Sequence, residues 1–287
     1  MIYLLLSVLF STSLFVIFKY FNIYKVNTLQ AIVVNYIVAF TLGMFSANAF
    51  GKIATITAQP WFYGALVLGF LFIIIFVIMA LTSQKNGVSV ASVAGKMSVI
   101  VPIVFGVILY NESVTVLKVI GVLIALVAVY LSSVKEKEEN TSSGGVLLPI
   151  LLFLGSGIVD TTIKFVEINY VAPEQVSFFS GSLFGIAGTF GIIILLIQQI
   201  RTKEPIALKN IIAGIVLGIP NYFSIVFLIK AFQHKGIESS TLFTINNVGV
   251  VVISTFVGLL LFKEQFRTKN KIGIALAILG IVLVTIA

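Results

Sequence analysis

The segment "SVKEKEENTSSGG", Ser133 to Gly145, is the one clearly hydrophilic stretch of the chain, and it stands almost at the centre of 287 residues. Its mixed charge and its Ser/Gly content give it the chemistry of a linker. Outward from it, in both directions, the sequence is oily. A spanning helix needs about 20 mostly apolar residues. Five such runs precede the segment, at 2–21, 28–49, 61–82, 87–110 and 115–133, and five follow it, at 146–166, 174–199, 209–232, 237–262 and 268–287. The whole chain is 59% hydrophobic and only 10% charged, with a mean hydropathy of +1.17; ordinary soluble domains are about one quarter charged. One soluble core of this size cannot hide so much apolar surface. The expected fold is therefore all-α: an integral membrane protein of ten transmembrane helices, with the lipid bilayer as its first partner.

The two sides of the linker also match each other. Shifted by 145, Ser11, Lys19, Gln30 and Gly43 fall on Ser156, Lys164, Gln175 and Gly188. Shifted by 149, Gly69 and Gly87 fall on Gly218 and Gly236. A shift of 152 brings "LYNE", ending at Glu112, onto "LFKE", ending at Glu264, and Gly106 and Gly121 onto Gly258 and Gly273. The changing offsets mean short gaps in an ordered duplication. The expected division is a first repeat over 1–133, a linker loop over 134–145 and a second repeat over 146–287. Five spans is an odd number, so the second repeat enters the membrane from the opposite face, and the expectation is a five-plus-five inverted repeat. Secondary transporters built this way bind their cargo near the bilayer midplane, where the repeats meet.

Charge narrows the classes further. There is no cysteine, hence no disulfide framework and no thiol chemistry. The net charge of +8 comes from basic residues placed singly or in small groups between apolar runs, which is the pattern of membrane orientation and not of nucleic-acid binding. Loops after odd-numbered spans hold Lys19, Lys25, Lys85, Lys135, Lys137, Arg201, Lys203, Lys209, Lys263, Arg267, Lys269 and Lys271; the opposite side holds Lys52, Lys118, Lys164, Lys230 and Lys235. Setting aside Lys19, Lys164 and Lys230, which can snorkel from helix ends, leaves the sign unchanged. The positive-inside rule then puts the odd loops in the cytoplasm and both termini outside. The opening "MIYLLLSVLF" has no basic n-region and no small-residue cleavage site, and reads as a retained first span.

Two long stretches carry a family likeness: "ALTSQKNGVSVASVAGKMSVIVPIVFGVILYNESVTVLKVIG" from Ala80, and the looser "AFQHKGIESSTLFTINNVGVVVISTFVGLLLFKEQFRTKNKIG" from Ala231. With ten spans duplicated five plus five, and in each half an L-aromatic-x-E followed by a glycine nine residues on, the chain resembles the EamA family of the drug/metabolite transporter superfamily. The sequence departs from the family pattern in helix 1, where "FSTS" replaces the usual Gly-Ser that helix 6 keeps as "GSG", and in Ser254, which stands where the first half has Pro102. The resemblance implies export or exchange of amino acids, sugars, nucleotide-linked metabolites or drugs. Some members keep their termini in the cytoplasm, which is opposite to the charge count here.

Ionisable groups inside a span cost at least a few kcal/mol and normally face a wet cavity or a partner. Lys96, in the middle of "VSVASVAGKMSVIVPIVFG", is one such group; counted from Gly87 its backbone is roughly 13 Å into the bilayer. Asp160, the one aspartate, is roughly 21 Å along helix 6. Two readings compete. In one, Lys96 receives an anionic group of the cargo while Asp160 balances it or takes a proton; in the other, the two form a closed structural ion pair. Asn35, Asn221, Tyr222, Asn246, Asn247, Ser11 and Ser156 fall at similar depth and together favour a polar cavity, although each alone reads equally well as helix-to-helix hydrogen bonding. Under the 149 shift Asn246 and Asn247 answer Met97 and Ser98. Pro102 and Pro220 remove backbone donors within spans and are the candidate hinges. Glu112 and Glu264 precede helices 5 and 10 and read as caps of those helices. Trp61 opens helix 3, where an interfacial anchor belongs.

Enzyme classes find little to use. An aspartyl protease needs two aspartates, an HExxH metal site needs two histidines where the chain has only His234, and neither a P-loop nor a GxSxG is present. No metal and no cofactor is expected, with proton coupling left open. The sequence therefore reads as a secondary transporter, an exporter or exchanger of a small polar metabolite such as an amino acid, working by alternating access around a midplane cavity that holds Lys96. The runner-up is a flippase of the same fold for a lipid-linked or amphipathic cargo. The expected location is the bacterial cytoplasmic (inner) membrane, multi-pass, as a monomer or homodimer.

Overall fold

The computed structural model describes residues 2–102, 104–105, 115–133, 145–202, 205–232, 239–265 and 267–286. Glu112, His234 and linker residues 134–144 lie outside the described residues. Within them the chain is helical throughout, because in lipid the backbone must satisfy its own N–H and C=O groups. The helices are α1 Ile2–Ile23, α2 Thr28–Ser46, α3 Phe62–Lys85, α4 Val88–Met97, α5 Val116–Ser133, α6 Leu147–Tyr170, α7 Val176–Thr202, α8 Leu208–Phe232, α9 Ser239–Phe262 and α10 Thr268–Ile286, with 3-10 segments at Phe50–Ala58 and Pro173–Gln175. Seven of them, α1, α2, α3, α6, α7, α8 and the Ile245–Phe262 part of α9, are long and apolar enough to cross a bilayer. The chain is a multi-pass integral membrane protein.

The other three expected spans look different. Helix α4 stops at Met97, turns at Ser98 and Val99, and is helical again from Ile100. The cause is one turn downstream: Pro102 has no N–H for the Ser98 carbonyl, which takes the Val101 N–H at 2.9 Å instead. Helix α5 contributes a shorter apolar stretch, Val119–Ser132, and α10 opens with Lys269 and Lys271 in its first turn.

By packing, the chain divides into two compact units, and each draws on both halves of the sequence. Unit 2 (21–77 and 159–222) is built on α2 and α7 running antiparallel: Gly43 faces Gly181, Phe40 faces Gly185, Tyr36 faces Gly188 and Val33 faces Gly191. The approach is close enough that a Cβ on Gly43 would stand 2.9 Å from the Gly181 Cα. Helix α8 runs parallel to α2, with Gly214 against Ala31 and Val34 and Gly218 against Asn35 and Val38; α3 runs parallel to α7, with Gly69 against Ile186 and Ala187. Small residues at these contacts supply the packing that holds helices together without a hydrophobic drive in lipid. Trp61 belongs to this packing. Its ring is wholly buried edge-on to Phe178 and Phe179 at 5.7 and 5.3 Å, so it holds α7 and is not the exposed interfacial anchor its position suggested.

Unit 1 (1–20, 78–158 and 223–287) pairs α4 with α9, again antiparallel: Ser92 meets Ser254 through their hydroxyls and Ser89 lies over Gly258. It also pairs α5 with α10, where Gly273 sits on Ala128 and Ser132 and the Asn270 Nδ2 donates to the Leu131 and Ser132 carbonyls at 3.3 and 3.0 Å. Helix α1 runs beside α9 in parallel, with Leu4 packed by Leu242 and Val8 on Gly249. It also meets the end of α8, through the Tyr3–Phe227 and Phe10–Phe223 rings, and the end of α3, where the Ser83 Oγ donates to the Phe15 carbonyl at 2.6 Å. Glu264 departs from expectation here: it caps α4, not the α10 that follows it, because the loop after α9 brings its carboxylate to the Val88 and Ser89 N–H groups.

Candidate functional site

In unit 1, Lys96 is half-buried in the last turn of α4, directly before the break. The C-terminal end of a helix carries a partial negative charge, which suits an ammonium. The turn itself is held by the Ser98 hydroxyl, which donates to the Gly95 carbonyl at 2.7 Å. An interrupted helix inside a membrane is where transporters present main-chain groups to cargo and ions. Asn246 is buried on α9, and the Ser7 Oγ stands 3.0 Å from its Oδ1 and 2.9 Å from the Ser224 carbonyl. Asn247 and Ser11 are buried as well. Ser156 is half-buried in α6, next to Gly157, whose Cα packs on Val101 just past the α4 break.

In unit 2, Asn35 and Asn221 are brought together: the Asn221 Nδ2 donates to the Asn35 Oδ1 at 3.1 Å. Asn35 is wholly buried, and its own Nδ2 has no hydrogen-bond partner among the described residues. Pro220 directly precedes Asn221, yet α8 runs on through it, whereas the turn before Pro102 is broken. Tyr222 is half-buried with its ring near Gly43. Asp160 is exposed on α6 and belongs to unit 2, while Lys96 belongs to unit 1.

Two residues of unit 1 join this polar set without having been singled out in the sequence. Ser7 stands one turn before Ser11 on the same face of α1, a spacing the sequence displays. Thr12 is buried with its Oγ1 lacking a partner among the described residues; nothing in the sequence distinguishes it from a threonine that bonds back to its own helix.

No family model matches the chain. An uncharacterized protein of Haemophilus influenzae is 29% identical over 287 residues, covering 97% of this chain and 95% of its own. Glucose uptake protein GlcU of Staphylococcus xylosus is 28% identical over 174 residues, which is 60% of this chain and 55% of that protein, so the match spans about half of GlcU. A solved crystal structure superposes with a TM-score of 0.62 at 14% identity, covering 99% of this chain and 96% of the other. That last likeness is one of fold alone.

Proposed function

We propose that this protein is a secondary transporter of a small polar metabolite, built as a ten-helix, five-plus-five inverted repeat of the EamA kind and working by alternating access in the bacterial inner membrane. The observation that carries the reading is the way matching helices face each other. In unit 2, Phe40 faces Gly185, its own counterpart under the shift of 145. The flanking contacts are reciprocal: Gly43 on Gly181 is answered by Gly188 on Tyr36. Two equivalent helices that cross antiparallel at equivalent residues are related by a two-fold axis perpendicular to them, hence in the membrane plane, which is the arrangement of inverted-repeat carriers. Gly69 on α7 and Gly218 on α2 repeat the reciprocity one helix further out.

The same arithmetic inside unit 1 favours Lys96 as the centre. The α4–α9 contacts Ser89–Gly258 and Ser92–Ser254 set the register. Continued along the helices, it brings the point where a residue meets its counterpart to Met97–Val99 opposite Asn247–Gly249. That point is the helix break, next to Lys96. We assign Lys96 the anionic group of the cargo, and Asn246, Asn247, Ser11 and Ser156 the neighbouring polar contacts; Asp160, in unit 2, is the candidate for proton coupling.

A second reading has its own support. The carboxamide pair Asn35–Asn221 offers uncharged donors and acceptors, the chemistry of hydroxyl recognition, and part of the chain is similar to a glucose uptake protein. Counterflow into proteoliposomes, tried with amino acids and with glucose, separates the two. Lys96→Ala is expected to abolish amino-acid counterflow while melting unchanged; full transport by that variant removes Lys96 from the site.

A further inference from the structure

The Glu264 carboxylate sits in a place made for it. It stands two residues past the end of α9, half-buried, and its own N–H donates to the Gly258 carbonyl at 2.9 Å. Its Oε1 accepts the Val88 N–H at 2.7 Å, and its Oε2 accepts the Ser89 N–H at 3.4 Å and the Ser89 hydroxyl at 3.0 Å. Glu264 thus satisfies the orphan donors of the first turn of α4 from outside that helix. Two glycines leave it room: a Cβ would lie 2.5 Å from Oε2 at Gly258 and 2.6 Å from Oε1 at Gly87. Gly87 is also held at φ +108°, a conformation open to glycine and strained for other residues. The sequence carries the same parts twice, since Glu112 follows Gly106 at the spacing at which Glu264 follows Gly258, and Gly236 heads the ninth span as Gly87 heads the fourth.

Further polar contacts lie at this end of unit 1, beside the Tyr20–Phe262 ring pair. The Lys19 Nζ donates to the Gln84 carbonyl at 3.1 Å and the Asn86 Nδ2 to the Gly145 carbonyl at 2.9 Å. The opposite end is held by the apolar cluster of Leu4, Leu228, Ala231 and Leu242 and by the Tyr3–Phe227 stack. Among the described residues, the carboxylate of Glu264 thus gathers three donors of α4 at the basic end, a bond set that one side chain makes and can release together.

We propose that Glu264 is a latch: it positions α4, and Lys96 upon it, against α9 at the basic end of unit 1, and the two helices part there only when the carboxylate lets go. Its use as a gate rests on the transport reading, while the clamp itself does not depend on the cargo.

The chain has no cysteine, so one introduced thiol reports alone. Ser92→Cys places it on the α4–α9 seam, where the native residue is wholly buried, and Ser182→Cys places a control in an equally buried position of unit 2. In the full-length protein in liposomes, Glu264→Ala is expected to speed N-ethylmaleimide alkylation at position 92 by about ten- to a hundredfold, the factor that corresponds to losing a hydrogen bond to a charged group. Alkylation at position 182 is expected to hold its rate. Glu264→Gln, which keeps an acceptor oxygen for the Val88 N–H, is expected to fall between the two and serves if the alanine variant does not fold. An unchanged rate at position 92, or an equal rise at 182 that signals general loosening, overturns the latch. If no solute is ever transported, these rates still decide it, so its failure and the failure of the transport reading are told apart.

Discussion

A buried amide N–H without an acceptor costs about 1–3 kcal/mol, and among the described residues Asn35 carries one inside an apolar helix. Such a group persists when something at the site needs it. Asn221→Leu takes away the hydrogen bond that the Asn35 side chain does make, leaving its Oδ1 unpaired as well, and is expected to lower stability by about 1–3 kcal/mol. Replacing both residues by leucine removes the mismatch and is expected to cost less than the single change, since interhelical polar pairs in membranes average only about 0.6 kcal/mol. Thermal melting of the three variants measures the cycle, and counterflow of glucose gives it meaning: a stable double variant that still moves glucose would reduce the pair to helix-to-helix hydrogen bonding. At this scale the sequence was partly legible. Asn35, Asn221 and Asn246 stand out because a polar residue in an apolar run is conspicuous. Their partners do not, because which turn of α8 meets which turn of α2 depends on packing between segments far apart in the chain. Trp61 and Glu264 were misread for the same reason. Each was assigned to its neighbours in sequence, and each serves a helix that arrives from elsewhere, α7 for one and α4 for the other.

Among the elements, α4 shows how much one residue decides. Without an N–H at Pro102 the helix breaks at Ser98 and Val99, and Lys96 ends up in a C-terminal turn instead of a helix interior. Pro102→Ala returns the donor, and a proline within a helix costs about 3 kcal/mol; the variant is expected to melt at or above the parent temperature and to transport more slowly, because the ammonium loses its helix end. Equal or faster transport with raised stability would deny the break any function. The α2–α7 crossing gives a second comparison. A methyl group on Gly43 meets the Gly181 backbone, which cannot move aside, whereas one on Gly181 first meets the tip of Met44, a flexible side chain, at 2.8 Å. Gly43→Ala is therefore expected to lower the melting temperature more than Gly181→Ala. The glycines were visible as repeated positions, Gly43 with Gly188 and Gly69 with Gly218, but only the coordinates reveal that each lies against a helix of the other half.

For the molecule as a whole, the proposed five spans in each half carry a strong consequence: corresponding loops would open on opposite faces of the membrane. The basic count would assign the loops after odd-numbered spans to the cytoplasm, and the antiparallel α2–α7 and α4–α9 pairs are what the proposed inversion requires. Two exposed positions test it, Lys52 in the 3-10 segment after α2 and Arg201 at the end of α7, since these links correspond in the two halves. In this cysteine-free chain, Lys52→Cys is expected to react with an impermeant maleimide on intact cells, and Arg201→Cys only after the membrane is opened. If both react from the same face, the two halves are not inverted, the in-plane axis disappears, and with it the physical reason for placing cargo beside Lys96. If they react from opposite faces but exchanged, the inversion stands and the termini are cytoplasmic. The basic loops would then face outward against the positive-inside bias, and a driving force other than that bias would have to orient the chain during insertion.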